Sequence, residues 1–438
     1  MISRLHTLGS LAAVAAFIST APLAAQDTTA QRGVRIGLTY QPGTRPGVVV
    51  LPVSGPHVDS VRAIVQRDLD FGDRVEIIGR EGTGVTEVAR AQGASMNYQL
   101  WKTLGALAIV QATSTTTGVR IAVHDVAAAR ILDTRDFSLP LPALSDSWRM
   151  ALHGVSDEIE RWITGTRGAA QTRVAFVRGG RIHVVDSDGH GERAITGQGT
   201  ALSPAWHPSG QSIAYSNFGP RGTQIVVRDA QGGSPRVISQ RVGLNITPEF
   251  SPDGSLLVWA FGEEAGTDLV AVSYPGGGDP RRITIGRGSD NVSPSFSPDG
   301  RRLAFTSSRS GHPEVYTADV DGSNVELLTT YLAGDQSYRS NPTWSPDGRV
   351  VAFQSQVAGR FQIMTISLRD RSMKQLTSEG INEDPAWAPD GRHLVFTSSR
   401  TGTKQLFVLD TETGRARQLT RAGGARLAAW SRVLARTP

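Results

Sequence analysis

The sequence predicts an α/β N-terminal domain followed by a six-bladed all-β propeller whose ring is closed by the C-terminal strand. Three observations predict it. One phrase recurs: Pro204-Ala-Trp206-His-Pro208-Ser-Gly210, Pro248-Glu-Phe250-Ser-Pro252-Asp-Gly254, Pro294-Ser-Phe296-Ser-Pro298-Asp-Gly300, Pro342-Thr-Trp344-Ser-Pro346-Asp-Gly348 and Pro385-Ala-Trp387-Ala-Pro389-Asp-Gly391. The final glycines stand 44, 46, 48 and 43 residues apart. A period in the forties filled with short strands marks one propeller blade per repeat. Next, the strand that follows each phrase can be counted six times, at Arg173–Val177, Ser212–Ser216, Leu256–Ala260, Arg302–Thr306, Val350–Gln354 and His393–Thr397. The first of these has no phrase in front of it. Finally, Arg426-Leu-Ala-Ala-Trp430-Ser431 stands at the other end, with Trp430 43 residues after Trp387. This strand is expected to complete the first blade, because closure removes the exposed edges of an open sheet.

The elements follow in chain order. Leu8–Ile18 is an apolar run of eleven residues behind Arg4 and His6, too short to span a bilayer. Ala21-Pro-Leu-Ala-Ala25 then offers small residues for cleavage, so residues 1–25 are expected to be a secretory signal peptide. Residues 26–46 form a flexible N-terminal segment. The α/β domain takes 47–168. Gly47–Val53 is a buried-type strand. Val58, Val61, Ile64, Val65 and Leu69 keep helical spacing, and Gly72 is placed to stop the helix. Arg74–Ile78 is a second strand, Asn97–Leu104 a short helix, and Ala106–Thr113 and Val119–Val126 two further strands. Ser145 or Asp146 caps a helix with Trp148, Leu152, Val155, Ile159, Trp162 and Ile163 on one face, ended by Gly165.

The propeller takes 169–438. In its third phrase, Ser297-Pro298-Asp299-Gly300 suits a type I turn. Arg302–Thr306 alternates as a half-buried strand, Ser308–Gly311 turns the chain, Glu314–Asp319 is a third strand, and Val325–Thr329 follows the Asp321-Gly322 turn as the outer one. The aromatic before each turn is expected to pack between neighbouring blades, where a large ring buries ample apolar area.

Composition limits the chemistry. There is no Cys, hence no disulfide, Cys-metal site or thiol nucleophile. The net charge is +5, but the 45 basic residues include only three Lys, and the Arg form no tract. Nucleic-acid binding is therefore not expected. Beyond the leader no apolar run reaches eighteen residues, so no direct membrane insertion is expected. Asp186-Ser-Asp188-Gly189 and Asp319-Val-Asp321-Gly322 imitate the start of a calcium loop, yet the twelfth positions are Gly197 and Thr330. Asp-Gly hairpin turns account for both. The nine His fall at unrelated repeat positions, and neither a Gly-x-Ser-x-Gly elbow nor a Gly-x-x-x-x-Gly-Lys loop occurs. No catalytic residue, cofactor or metal is expected, and the chain is read as a non-enzyme and a monomer.

Several of these segments resemble the TolB family of the Tol–Pal envelope system. Val34-Arg35-Ile36 followed by Arg45-Pro46-Gly47-Val48-Val49-Val50 is similar to that family's mature N-terminus. Thr164-Gly165, Arg167-Gly168 and Thr172–Val177 resemble its junction with the propeller. The resemblance implies a periplasmic scaffold supporting outer-membrane integrity and constriction at cell division. It implies that Pal, a peptidoglycan-associated lipoprotein, binds one propeller face, and that TolA binds the N-terminal segment. Carried over by position, the TolA role falls on Val34, Arg35 and Ile36. The Pal role falls on loops entering the second and third phrases, at Leu244, Thr247 and Val292. An extended Val34–Leu38 can also add to a partner's sheet edge. Two alternatives stand beside this: a secreted propeller enzyme or glycan-binding protein using the central channel, and a TolB-like paralogue with a different partner.

Overall fold

In the computed structural model, residues 38, 44–79, 96–219, 222–286, 288–329 and 338–432 are described. The signal peptide and Val34, Arg35 and Ile36 lie outside them. The α/β part is built from β1 (Gly47–Val50), α1 (Val58–Phe71), β2 (Glu76–Ile77), α2 (Tyr98–Thr103), β3 (Ala108–Ser114), β4 (Gly118–Asp125), β5 (Arg130–Ser138) and α3 (Asp146–Thr164). The sheet order is β2-β1-β3-β4-β5, with β1 parallel to both neighbours and β3-β4-β5 an antiparallel meander. The continuous apolar run of β1 is explained by burial on both faces. Val48 and Val50 pack with α1 and α3, while Val49 and Leu51 pack with Trp101 of α2. Ser145 caps α3 by accepting from the Trp148 N–H, and Gly165 ends it at φ 81°. The buried Leu38 donates its N–H to the Ile163 carbonyl at 3.0 Å. β5 was not expected. Its Arg130, Asp133, Arg135 and Asp136 hide the strand pattern, as charges on a sheet edge commonly do.

Six four-stranded antiparallel sheets follow. Blade 1 combines Arg426–Trp430 with Arg173–Arg178 as antiparallel partners, Trp430 opposite Val174 and Arg426 opposite Val177. Ser431 and Arg173 exchange hydrogen bonds at 2.8 and 2.9 Å. The C-terminal strand therefore closes the ring. The phrase aromatics sit between blades as expected: Trp206 among Val177 and Val184 of blade 1 and Ile213 of blade 2, Phe296 among blades 3 and 4, and Trp344 among blades 4 and 5. Trp430 packs between blades 6 and 1; like Trp387 it is half-buried, and it donates to Thr172 Oγ1 at 2.8 Å.

The apparent scatter of Arg conceals a period. Near the start of five of the six outer strands a basic side chain donates to a backbone carbonyl of the next blade. The pairs are Arg193 to Ala230, Arg236 to Pro275, Arg281 to Val320, Lys374 to Thr411 and Arg417 to Ser187, all at 3.1–3.3 Å. These donors satisfy carbonyls at the joints between sheets.

Candidate partner-binding face and channel

Antiparallel strands fix which loops share a face. Each innermost strand starts beside the hairpin that joins the second and third strands. Ser308 N–H bonds Asp290 O at 3.0 Å, Gln356 N–H bonds Tyr338 O at 3.0 Å, and Ser399 N–H bonds Ile381 O at 3.0 Å. This is the loop face. The Pro-Asp-Gly turns lie on the opposite turn face.

Between the faces runs a central channel of about 740 Å³, walled by the phrase residues of all six blades. Its neck is defined by one residue per blade: Ser203, Thr247, Ser293, Asn341, Asp384 and Leu427, each at φ 49–55°. Each sits where the innermost strand breaks register with the second, so a β-bulge turns it towards the axis. A left-handed conformation is costly for a β-branched residue such as Thr247. Side chains compensate around the neck. Ser293 N–H donates to Thr247 Oγ1 at 3.1 Å, Ser293 Oγ to Asn341 Oδ1 at 2.9 Å, and Asn341 Nδ2 to Asp384 Oδ1 at 2.7 Å. Burial, then neighbouring Glu383, raises the Asp384 carboxyl. Towards the turn face, enclosure pushes Glu249 up to about 8, with Arg432 pulling the other way. Arg432 also donates to Pro252 O at 3.2 Å.

The three positions expected at the loops differ in exposure. All lie on innermost strands rather than loops, Leu244 and Thr247 within Leu244–Phe250 and Val292 within Asn291–Phe296. The reason is that the strands extend to the loop-face end of the blade, past the bulge. Leu244 is exposed at the rim, Thr247 lines the channel, and Val292 packs partly buried between blades 3 and 4. The neck belt was missed in the sequence. Its signal was present: a small polar residue precedes the phrase proline in all five full copies.

The turn face of blades 1 and 6 is covered by the α/β part. His153 of α3 holds Asp68 of α1 at 2.8 Å and faces Asp188 of blade 1 at 3.6 Å. His393 of blade 6 holds Asp390 at 2.7 Å and faces Asp73, just after α1, at 3.4 Å. Arg149 reaches Asp188 at 2.9 Å, Arg415 reaches Asp73 at 2.8 Å, and Arg74 reaches Glu160 at 3.2 Å and Asp390 at 3.5 Å. Two triads here offer metal-type ligands, Asp73 with His393 and Asp410, and His153 with Asp186 and Asp188. Their carboxylates already face guanidinium groups, Asp410 that of Arg392 at 2.6 Å and Asp186 that of Arg173 at 3.0 Å. The arrangement is that of an ion-pair network rather than a ligand set.

A family model described as the TolB beta propeller domain matches residues 160–434. The chain belongs to the TolB beta-propeller family. Two curated relatives carry the name Tol-Pal system protein TolB. That of Thioalkalivibrio sulfidiphilus (strain HL-EbGR7) is 33% identical over 168 residues, 35% of this chain and 38% of the relative. That of Histophilus somni (strain 129Pt) is 34% identical over 163 residues, 33% of this chain and 37% of the relative. The chain thus aligns with little over a third of the length of these TolB relatives. The crystal structure of TolB from Acinetobacter baumannii shares the fold, with a TM-score of 0.76 at 23% identity over 90% of this chain and 98% of that one.

Proposed function

We propose that this protein is an exported, periplasmic component of the Tol–Pal system. It serves there as a non-enzymatic scaffold for outer-membrane integrity and constriction at division. The observation that carries this is the identity of 33–34% to proteins named Tol-Pal system protein TolB, together with the family match over the propeller. In this reading residues 1–25 direct export, 26–46 are a flexible arm, 47–168 form the α/β domain and 169–438 the propeller. Pal docks on the loop face, where Leu244 is exposed and Thr247 opens into the channel. TolA takes the arm at Val34, Arg35 and Ile36 as an added strand.

The test is a pair of titrations. The mature chain is expected to bind the soluble part of Pal from the same organism with Kd below about tens of micromolar, the range of weak specific interfaces. Absence of binding there removes the Pal assignment. Deleting residues 26–37 is expected to abolish TolA binding and leave the melting temperature unchanged. The deletion stops before Leu38 because that residue is part of the α/β core. Retained TolA binding removes the arm from the site.

A ligand-binding or enzymatic channel is the second reading. Glu249 favours it, as an acid held protonated near neutral pH inside a 740 Å³ cavity. Polysaccharide cleavage lost in Glu249→Gln would support it.

A further inference from the structure

Two side chains break the sixfold pattern of the ring, and they face each other. On the innermost strands, Glu249 stands where the other five blades carry Ala205, Ser295, Thr343, Ala386 and Ala429. It follows the neck residue Thr247 by two places and lines the channel on the turn-face side of the neck. The second departure comes from ring closure. Blade 1 takes its innermost strand from Arg426–Trp430 and its second strand from Arg173–Arg178, so Ser431 leads into no Pro-Asp-Gly turn. Arg432 therefore occupies the place that Pro208, Pro252, Pro298, Pro346 and Pro389 hold at the turn-face mouth. It is exposed and reaches past blade 2 to donate to the Pro252 carbonyl of blade 3 at 3.2 Å.

The two groups do not touch. Arg432 acts on the Glu249 carboxyl electrostatically, but among the described residues no hydrogen bond or ion pair holds that carboxyl. The other charged side chain among the described channel residues, Asp384 at the neck, is held by Asn341 at 2.7 Å and by Thr397 at 3.3 Å. An enclosed carboxyl without a partner keeps its proton, in line with its rise to about 8. It then presents an O–H donor that has no acceptor. Opposite it, the hydrogen bond to Pro252 leaves Arg432 with further N–H groups to give.

A carboxylate satisfies both groups at once. It accepts a charge-assisted hydrogen bond from the acid and pairs with the guanidinium, whereas a cation would meet Arg432 at the same place. The small side chains at the five equivalent positions leave room beside Glu249, in a channel of about 740 Å³ that has the size of a small-molecule site. We propose that the turn-face half of the channel binds a small monocarboxylate with an apolar body, its carboxylate bridging Arg432 and Glu249. The apolar body lies against Phe250 and the proline rings that line this half. Asp384 at the far end repels a second carboxylate, which selects a ligand carrying one. This rests on the ligand-binding reading of the channel, names the ligand class for it, and is independent of the Pal reading.

The experiment titrates the full mature chain with phenylacetate and with two analogues of the same shape, neutral phenylacetamide and cationic phenethylamine. At about pH 7 phenylacetate is expected to bind with Kd of about 1 mM, at least about tenfold tighter than either analogue. Arg432→Ala and Glu249→Ala are each expected to weaken it about tenfold. Raising the pH to about 9 ionises Glu249, turns the donor into a like charge, and is expected to weaken binding to the parent about tenfold. Glu249→Gln keeps an N–H donor in place and is expected to bind phenylacetate alike at both pH values. That variant separates loss of the donor from loss of the fold at the higher pH. An unchanged melting temperature shows that Arg432→Ala, whose parent side chain is exposed, is folded. If Arg432→Ala binds phenylacetate as the parent does, if the parent binds it alike at both pH values, or if either analogue matches it, the carboxylate assignment is overturned and the ligand-binding channel stands. If none of the three probes binds the parent at about 10 mM, the ligand-binding reading fails and this inference falls with it.

Discussion

Ser297 shows what the repeated phrase does at the scale of one residue. Its hydroxyl donates to Asp299 Oδ1 at 2.6 Å and accepts the Arg302 N–H at 2.9 Å. Asp299 in turn accepts the Arg301 N–H at 3.1 Å, and Gly300 follows at φ 72°, a conformation glycine adopts without a Cβ penalty. Ser251 and Ser345 repeat this clasp with Asp253 and Asp347. Ser297→Ala removes both hydrogen bonds of a buried hydroxyl at the base of the turn and is expected to cost about 1 kcal/mol. A denaturant midpoint unchanged by that substitution would show that water replaces the clasp without loss. The turn was legible in the Ser-Pro-Asp-Gly spelling, since each residue type answers a local backbone need. The role of Asp390 was not. It occupies the same phrase position as Asp299, but it is buried against His393 and Arg74. Local spelling cannot distinguish the two environments, because the partner groups come from other elements.

The closing strand Arg426–Trp430 was legible because it kept one period from Trp387 despite losing the phrase proline. Hydrogen bonding between Ser431 and Arg173, 258 residues apart, makes ring closure a property of the element rather than of one ring. Deleting the chain after Gly424 is expected to leave an aggregation-prone open ring. A soluble, monomeric truncation with an unchanged melting temperature would rule this out. Trp430→Ala is expected to cost less than the ~3–5 kcal/mol of a fully buried tryptophan such as Trp259, because Trp430 is only half-buried. Edge strand β5 was illegible for the opposite reason. Its pairing with β4 from Gly118 to Asp125 carries the strand, while its own side chains, such as Asp136 bound to Arg120 at 2.7 Å, are those of a solvated face.

For the whole molecule, the α/β part spans the first and last blades on the turn face. Four groups of this junction titrate in a common direction. Burial alone would lower both histidines, but Asp68 and Asp188 hold His153 up, and Asp390 and Asp73 hold His393 up to about 9. Burial raises Asp157 to about 7 and Glu160 to about 8. In all four the folded state binds the proton more tightly. The associated stability is complete below the unfolded value and is lost as pH rises through the folded one. Against burial, Arg392 holds Asp410 down to about 2, and His153 and Arg67 lower Asp188. Those contributions are present above the ordinary carboxylate range and are lost as pH falls. The melting temperature is therefore expected to peak between about pH 4 and 5 and to decline towards about pH 9. His393 alone contributes on the order of 3 kcal/mol to that decline. His393→Asn is expected to flatten the profile above neutrality. A melting temperature constant from about pH 6 to 9 in the parent chain would contradict the assignment.

The amino-acid order by itself determined the repeat, the number of blades, the turns and the closing strand. Each depends on periodicity and on backbone preferences that act within a few residues. Tertiary structure alone decided which copy of a repeated residue is buried, which residues ring the channel neck, and which loops share a face. Those depend on groups brought together from positions up to 320 residues apart, as with His393 and Asp73, and no local pattern encodes such a meeting.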